Sequence, residues 1–462
     1  MVGLIQLMLK DQLLIFIQAK SFKFNNFGNS FEFLFLYREF CYDSSSRLTE
    51  DVMEFIEVSE QAFAEFTAKQ NQIHFQQTVE MGKLQQALGH QIGYYGVLAN
   101  GELQTALLVI LSKIKFGYLA EVHGNPYFAE DLSINQFLID NLRNKLKTLG
   151  AIKLIIHSNQ MVVQFDDKWT EIEKFQPQLT SFYQSIGLTE SHLNDFELGF
   201  QYNYEKNLKS FLDYSAVVKS FKKQARQSIN RAKSFGIKIV ELPYERLAEF
   251  KAVVDEAGDR RHFSTRTLHY YQAAFQAYGD KTKFLAAEIN FQSYLKQTEQ
   301  DLQAINAEID KLTLEIQKQP TEKKQNKLND IKTFQLKSVE KRQNEAKELV
   351  KQYGEENVIL AVAQFYLMPN EIIYMFSGMY DHFRDFSAPF LIQDYMLNYA
   401  VNHQIERYNF MGVNSPKDED QGVLRFKQNF KGYIWKSSGN YEMIVRPNIY
   451  QITQILKKII GH

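Results

Sequence analysis

The sequence predicts a mixed α/β (α+β) protein in which an antiparallel coiled-coil hairpin interrupts the second of two similar halves. Both halves follow the same order of a strand, helices, antiparallel strands, a helix and a final strand, which is typical of a mixed sheet covered by helices. Residues 291–354 interrupt this order with a nearly glycine-free stretch that repeats apolar residues at heptad spacing. The 462 residues suffice for two or three domains, and the hydrophobic share of 45% is that of a globular protein.

The first predicted domain comprises residues 53–200 and 441–462. Asn100 and Gly101 separate two apolar runs and predict a hairpin turn, and Gly150 ends an amphipathic helix. Residues 1–52 crowd phenylalanines without a strand or helix period, so we expect an extension from an upstream start site or a poorly ordered tail. The predicted elements are, in order, strand 53–58, helices 59–68 and 74–88, strands 91–98, 103–114 and 118–122, helix 132–149 and strand 152–157.

The second predicted domain comprises residues 201–290 and 355–440. It contains one strongly basic helix and ends on an apolar strand. Residues 422–432 follow that strand and set cations beside aromatic side chains, which we interpret as a loop. The predicted elements are, in order, a helix beginning within 207–214, helix 219–235, strand 237–242, helices 247–257 and 267–278, strands 284–289, 358–367 and 371–376, helix 389–403 and strand 407–413.

The inserted residues 291–354 predict a helical arm. Pro320 ends the first heptad seam and a weaker seam follows, so two helices of roughly 26 residues would each extend about 40 Å. Because the flanking strands belong to one sheet, the arm must return to where it left, as an antiparallel hairpin. Its charges either solvate the arm or contact a nucleic acid or a partner protein. The first seam consists of Leu295, Leu302, Ile305, Ile309, Leu312 and Ile316.

Composition and motifs exclude several classes of function. The net charge of −1 gives no overall attraction for nucleic acid, so a nucleic-acid contact requires local basic surface. Cys41 is the single cysteine, which excludes an intrachain disulfide and a cysteine-rich metal centre. The sequence has no Walker A loop, dinucleotide glycine fingerprint, HExxH or GxSxG motif. His123 and His382 are predicted as turn or core histidines, and we expect no metal and no other cofactor.

Four segments, taken together, resemble the FemABX family of peptidyltransferases. The resemblance covers about residues 53–460, in order, and implies two GNAT-like acyltransferase domains with the inserted arm. The segments are the basic stretch 226–237, the insertion after 289–291, the strand 408–413 and residues 422–427.

The resemblance implies transfer of an amino acid, Ala, Ser or Gly, from aminoacyl-tRNA to a peptidoglycan precursor. The acceptor is the stem-peptide lysine amine or the growing branch of lipid II or UDP-MurNAc-pentapeptide, so the product is an interpeptide bridge. We expect a lipid-linked acceptor and a cytoplasmic enzyme that contacts the inner face of the membrane. The sequence does not determine which amino acid is transferred or its position in the branch. It also leaves open whether the acceptor is soluble or lipid-linked, and the oligomeric state.

The resemblance also implies which residues bind the acceptor. Lys83, Arg266 and Tyr270 match residues that hold the diphosphate and the adjoining sugar, and Tyr374 matches a tyrosine of the acceptor cleft. Arginine suits bidentate binding of a phosphate and lysine supplies a point charge.

Phe426 and Lys427 match a pair that the family places at the aminoacyl-tRNA end and the transition state. A cation at this position would stabilise the oxyanion formed at the ester carbonyl. The family's Arg-Gly-Pro is His123-Gly124-Asn125-Pro126 here, which leaves Asp131 only a weak candidate for the general base. The local basic surface predicted for tRNA consists of Lys222, Lys223, Arg226 and Arg231.

Two alternatives remain at this level. One is a GNAT acyltransferase that uses acetyl-CoA, although the sequence lacks the usual phosphate-cradling turn. The other is a noncatalytic protein whose helical arm binds RNA or a partner.

Overall fold

The computed structural model describes residues 53–191, 200–417 and 421–460, with side chains described to residue 456. The expected N-terminal extension, residues 1–52, lies outside the described residues. The residues from Phe55 to Leu98 and from Glu102 onward form one compact unit. The division into two domains therefore stays a prediction.

The described strands form one mixed sheet in the order β1-β2-β3-β4-β5-β14-β8-β13-β12-β11-β10-β9, with β6 added to β5 and β7 to β14. The strand bounds are β1 Met53–Glu57, β2 Gln91–Ala99, β3 Glu102–Ile114, β4 Gly117–His123, β5 Ala151–Phe165, β6 Glu171–Lys174, β7 Thr189–Glu190, β8 Tyr202–Asn207, β9 Lys238–Glu241, β10 Thr282–Asn290, β11 Asn357–Met368, β12 Glu371–Met379, β13 Arg407–Val413 and β14 Tyr433–Ile444.

Helices cover both faces of this sheet. Within the described residues, no helix is both long enough and apolar enough to span a bilayer. The helix bounds are α1 Glu60–Ala68, α2 Val79–Ala87, α3 Leu132–Thr148, α4 Leu179–Ser185, α5 Tyr214–Ser220, α6 Lys223–Ser234, α7 Leu247–Arg261, α8 Leu268–Tyr278, α9 Phe291–Lys318, α10 Glu322–Asp330, α11 Lys337–Tyr353, α12 Ala388–Asn402, α13 Gly422–Gln428 and α14 Pro447–Ile460.

The two halves share a crossover unit. Helix α3 connects the parallel strands β4 and β5, and helix α12 connects the parallel strands β12 and β13. Between these pairs, β14 and β8 join the halves by antiparallel pairing. The order of elements predicted for each half is therefore present, and the prediction of a mixed α/β fold is confirmed.

Alternating strand side chains supply two hydrophobic cores. Ile372 belongs to a core that contains residues of α6, α12 and α13, whereas Ile373 belongs to a core with residues of α1, α2, α7 and α8. Because successive residues of β12 point to opposite sides, these cores lie on the two faces of the sheet.

The predicted antiparallel hairpin is present. Helices α9 and α11 pack together, and Ile309, Leu312 and Ile331 form a small separate core within the arm. Asn290 at the end of β10 pairs with Asn357 at the start of β11, so the arm leaves and re-enters at neighbouring positions. A π-helical segment, Ile331–Leu336, lies in the returning half and was not predicted.

Three predicted elements in the described residues were wrong in type or continuity, and the helix predicted over 74–88 begins only at Val79. Residues 207–214 do not begin a helix, because β8 runs to Asn207 and α5 begins at Tyr214. The basic helix predicted over 219–235 is two helices, since Phe221 and Lys222 adopt extended conformations between them. Phe221 is buried against Phe430, with ring centroids 5.2 Å apart, and this packing sets the break.

The third error concerns residues 422–432, which we interpreted as a loop. Gly422–Gln428 is helical, and its Leu424 is buried in the core. The centroid of the Phe426 ring lies 5.0 Å from that of Phe390 and 5.6 Å from that of Phe430. The aromatic side chains of this segment are therefore packing residues of a short helix.

Candidate active site

The candidate site begins where two parallel strands separate. Strands β12 and β13 pair over three residues each: Glu371–Ile373 of β12 lie beside Arg407–Asn409 of β13. Beyond that point β12 stays paired with β11 on its other edge, and Gly412 and Val413 of β13 pair with β8. A crevice therefore opens at the carboxyl ends of the parallel strands, which is where open α/β sheets bind ligands.

The separated end of β13 has an irregular backbone. The register with β8 shifts between Asn409 and Gly412, and Met411 has a positive φ of 61°. The Met411 amide donates a hydrogen bond to Asn409 Oδ1 at 2.7 Å. A Cβ on Gly412 would overlap the ring of Phe200, so this position accepts only glycine without rearrangement. The bulge turns the Met411 and Gly412 carbonyls away from the regular ladder.

Lys427 binds these two carbonyls. Its Nζ donates to Met411 O at 3.1 Å and to Gly412 O at 2.5 Å, and the residue is only 4% exposed. Burial lowers the pKa of the Lys427 amine from 10.5 to about 7. Lys427 is therefore a buried amine at the end of β13 and not a cation of an exposed basic loop.

Tyr374 lies at the start of the same crevice. It is the first β12 residue beyond the segment paired with β13. Its ring stacks on Phe365 at 5.4 Å and meets the edge of Phe410 at 6.4 Å, and burial raises the pKa of its hydroxyl. Tyr374 and Lys427 thus contact consecutive residues of β13, which brings these two predicted site residues together.

Arg266 and Tyr270 form a second group. The Arg266 guanidinium lies 5.3 Å from the centroid of the Tyr270 ring, within range of a cation–π interaction. Tyr270 in turn meets the edge of Phe376, two residues beyond Tyr374 on β12, at 5.8 Å. Tyr374 packs against the core on one face of the sheet and Phe376 against the core on the other, so the two groups reach this stretch of β12 from opposite faces.

Lys83 lies on the helix next to this second group. Helices α2 and α8 pack together, and His269 Nε2 lies 3.0 Å from the Ala87 carbonyl. The Lys83 amine is half exposed and lies 2.8 Å from Glu60 Oε1. The hydrogen bond from Lys83 to the Glu60 carboxylate raises the pKa of Lys83.

Asp131 has a structural role. It caps helix α3, and its Oδ1 accepts hydrogen bonds from the amide and the hydroxyl of Ser133, both at 2.8 Å. These bonds lower the pKa of the Asp131 carboxyl, which makes it a weaker base. Its assignment as general base stays a prediction without support from this geometry.

The four basic residues predicted for tRNA differ in their surroundings. Arg226 donates to the carbonyls of Lys219 and Phe221 at 3.0 and 2.6 Å, and so terminates helix α5. Arg231 donates to Ser387 Oγ at 2.5 Å. Lys223 is exposed and Lys222 is half-buried. Among the described contacts, the side chains of these two lysines therefore make fewer bonds to the rest of the protein than the two arginines do.

A buried polar cluster next to the crevice was missed. Arg407 Nη2 lies 3.4 Å from Glu371 Oε2, and Asn409 Nδ2 donates to Glu371 Oε1 at 2.8 Å. Glu205 accepts a hydrogen bond from the Tyr433 hydroxyl. Burial, followed by the neighbouring Glu371 carboxylate, raises the pKa of Glu205 to about 7. The residues of this buried polar cluster come from four strands, so no sequence motif identifies the cluster.

One group among the described residues brings three possible metal ligands close together. Glu121, His123 and His157 place one ligand atom each within 4.8 Å of one another. They lie on β4 and β5 and not on the strands that form the crevice.

Comparisons with known proteins identify the family of this chain. The profile described as the FemAB family matches residues 58–458. Aminoacyltransferase FemA from Staphylococcus aureus strain bovine RF122 / ET3-1 is 25% identical over 428 residues, which cover 88% of this chain and 99% of that protein. FemA from strain N315 has the same identity and coverage.

A solved structure shares the fold. The crystal structure of FemX superposes with a TM-score of 0.68 at 19% identity, covering 86% of this chain and 99% of FemX. The family match spans most of the chain and confirms the predicted resemblance. The chain belongs to the FemAB family.

Proposed function

We propose that this protein is an aminoacyltransferase that builds peptidoglycan interpeptide bridges. It takes Ala, Ser or Gly from aminoacyl-tRNA and adds it to the stem-peptide lysine amine, or to the growing branch, of a peptidoglycan precursor. The observation that carries the proposal is the FemAB family match over residues 58–458. The separation of β12 from β13, with Lys427 bound to carbonyls at the end of β13, supports the position of the transfer site.

The reaction joins an amine to an ester. The acceptor amine attacks the ester carbonyl carbon, an oxyanion forms, the C–O bond to the tRNA ribose breaks, and the amine proton passes to the ribose oxygen. The Lys427 ammonium has three N–H donors, and two of them bind Met411 O and Gly412 O. The third donor stabilises the oxyanion in our proposal.

Fixing Lys427 by two carbonyls orients its third donor before the substrate arrives. Preorganised donors stabilise developing charge more effectively than groups that must reorient. Phe426, packed against Phe390, holds the helix that carries Lys427. We therefore assign Lys427 a catalytic role and Phe426 a positioning role.

The second group binds the acceptor in this proposal. Arg266 and Lys83 hold the diphosphate, while Tyr270 and Tyr374 line the cleft beside it. Lys83 must first leave Glu60, but both side chains are about half exposed. Exposed ion pairs contribute only about 0–1 kcal/mol, so a diphosphate readily replaces the carboxylate.

We further propose that the acceptor is lipid-linked and that the protein works in the cytoplasm at the inner face of the membrane. Helix α14 supports a peripheral contact because Ile452 and Ile455, one turn apart, are 50% and 57% exposed. An exposed apolar stripe on a helix can enter the headgroup region of a bilayer.

A pair of variants tests the catalytic assignment. Lys427→Met removes the buried amine, and Lys431→Met removes a half-exposed amine four residues away as a matched control. We expect Lys427→Met to lose at least about 100-fold in turnover with aminoacyl-tRNA, as oxyanion donors do, while Lys431→Met stays near wild type. Unchanged turnover of a folded Lys427→Met protein would refute the role of Lys427.

The same assay separates the alternative functions. Acetyl-CoA in place of aminoacyl-tRNA tests a GNAT acyltransferase, and we expect no product from it. A noncatalytic arm-based binding protein would give no product from either donor.

A further inference from the structure

A compact group of metal-ligating side chains lies away from the crevice. Glu121 and His123 are two residues apart on β4, so their side chains point to the same face. His157 on β5 is the register partner of His123 in the parallel pair. The sheet therefore places all three side chains side by side, and their ligand atoms lie within 4.8 Å of one another.

Two of the three distances between these ligand atoms match those between ligands of a tetrahedral metal ion, and the third lies within 4.8 Å. His157 Nε2 lies 3.2 Å from Glu121 Oε1, and His123 Nε2 lies 3.6 Å from the same oxygen. Ligands bound to zinc at about 2.0–2.2 Å in tetrahedral geometry lie about 3.3–3.6 Å apart. An ion can thus bind between these atoms after only small side-chain movements.

Hydrogen bonding alone does not account for both histidines. The 3.2 Å separation allows His157 a hydrogen bond to Glu121, whereas 3.6 Å is too long for His123. His123 Nε2 is buried without a hydrogen-bond partner among the described residues. A buried ring nitrogen without a hydrogen-bond partner requires an explanation, and a bound ion supplies one.

A second shell orients the carboxylate. Ser112 Oγ lies 3.3 Å from Glu121 Oε2, the oxygen that does not face the histidines. His90 Nδ1 lies 3.2 Å from the same hydroxyl. Outer-shell hydrogen bonds of this kind fix the geometry of metal ligands.

We propose that Glu121, His123 and His157 form a binding site for Zn²⁺. Two imidazoles and one carboxylate suit zinc, whereas Mg²⁺ and Ca²⁺ prefer oxygen ligands throughout. A water would supply the fourth ligand, because the His123 side chain is partly exposed even though its Nε2 is buried. The ion links the end of β4 to the middle of β5.

This site would be a property of this chain rather than of the FemABX family. The resemblance places arginine where His123 stands, and an arginine cannot ligate zinc at neutral pH. The proposal replaces our expectation that His123 is a turn or core histidine, and it does not depend on the proposed transferase function.

Metal titration of the full-length protein tests the site. The protein is stripped with a chelator and titrated with Zn²⁺ against a chromophoric competitor, and with Co²⁺ while the visible spectrum is recorded. The variants are His123→Gln and Glu121→Gln, with His403→Gln as the control, since His403 is an exposed histidine at the end of α12. Circular dichroism checks that each variant is folded.

We expect wild type and His403→Gln to bind one equivalent of Zn²⁺ and to give the intense Co²⁺ spectrum of a tetrahedral site. Outer-shell partners are worth about 10–100-fold in zinc affinity, so loss of a direct ligand should weaken binding more than about 100-fold. His123→Gln is the decisive variant because its half-buried side chain can change without opening the core. Failure of wild type to bind one equivalent, or unchanged affinity in folded His123→Gln, would overturn the proposal.

Discussion

Because the amine of Lys427 is buried, we predict that its contribution to the free energy of unfolding depends on pH. Burial lowers the pKa of this amine from 10.5 to about 7 in the folded protein. Between these two values the unfolded chain binds more protons than the folded chain, so the free energy of unfolding rises with pH. Below about pH 7 both states are protonated and the penalty of burying the charge is fully present. Lys427→Met removes this term.

The size of the change in unfolding free energy follows from the pKa shift of Lys427. Each pKa unit corresponds to about 1.4 kcal/mol. The folded-state amine is half protonated at pH 7 and almost neutral at pH 9, so wild type should gain about 2 kcal/mol from Lys427 over this interval. The residue is nearly inaccessible, so solvent screening leaves this difference largely intact.

Urea unfolding at pH 7 and pH 9 measures the difference directly. We expect wild type and Lys431→Met to share one change in unfolding free energy with pH, and Lys427→Met to lack about 2 kcal/mol of it. Equal changes in all three proteins, within about 0.5 kcal/mol, would show that the amine titrates normally and would refute its burial at the end of β13.

Three further predictions address binding and packing. Arg266→Lys keeps the charge but loses the bidentate fork, so KM for the acceptor should rise about 10-fold with little change in kcat, and an unchanged KM would contradict the diphosphate role. Binding of tRNA should weaken as salt increases, and Lys223→Ala should lower the slope of log K against log salt by about 1; a salt-independent affinity would exclude an electrostatic tRNA surface. Gly432→Ala places a Cβ against the Glu205 carbonyl, which should cost about 1–3 kcal/mol in thermal or urea unfolding, and an unchanged melting temperature would contradict the packing.

Elements with a clear period were predictable from sequence. Strand β13 was predicted with its observed bounds, and the heptad spacing of α9 predicted the arm. In these segments local pattern and tertiary packing favour the same structure. The helix predicted over 59–68 is present as α1, and Ser59 caps it by accepting a hydrogen bond from the Ala62 amide.

Errors occurred where long-range packing decided the conformation. Phe221 interrupts a basic stretch with good helical composition because its ring is buried against Phe430, about two hundred residues later in the chain. Helix α2 begins only at Val79 because Thr78 caps it, and the buried Gln77 side chain before the cap accepts a hydrogen bond from the Leu108 amide of β3 at 2.9 Å. Neither contact is visible in the local sequence.

The resemblance predicted the residues of the candidate site, whose roles stay predictions, but it could not predict their geometry. The resemblance identified Tyr374 and Lys427, which the structure brings to adjacent positions of β13. It could not predict that Lys427 is buried, because burial depends on the bulge at Met411. The buried polar cluster that contains Glu205 was not predicted because its members come from separate strands.

Transfer itself tests the central claim most directly. Purified protein is incubated with tRNA charged with labelled Ala, Ser or Gly and with lipid-linked or soluble muramyl-pentapeptide, and the product is sequenced by mass spectrometry. We predict that one labelled amino acid becomes attached through an amide to the stem-peptide lysine or its branch, and that uncharged tRNA gives no product. No transfer from any charged tRNA to either acceptor, with folded protein, would contradict the account.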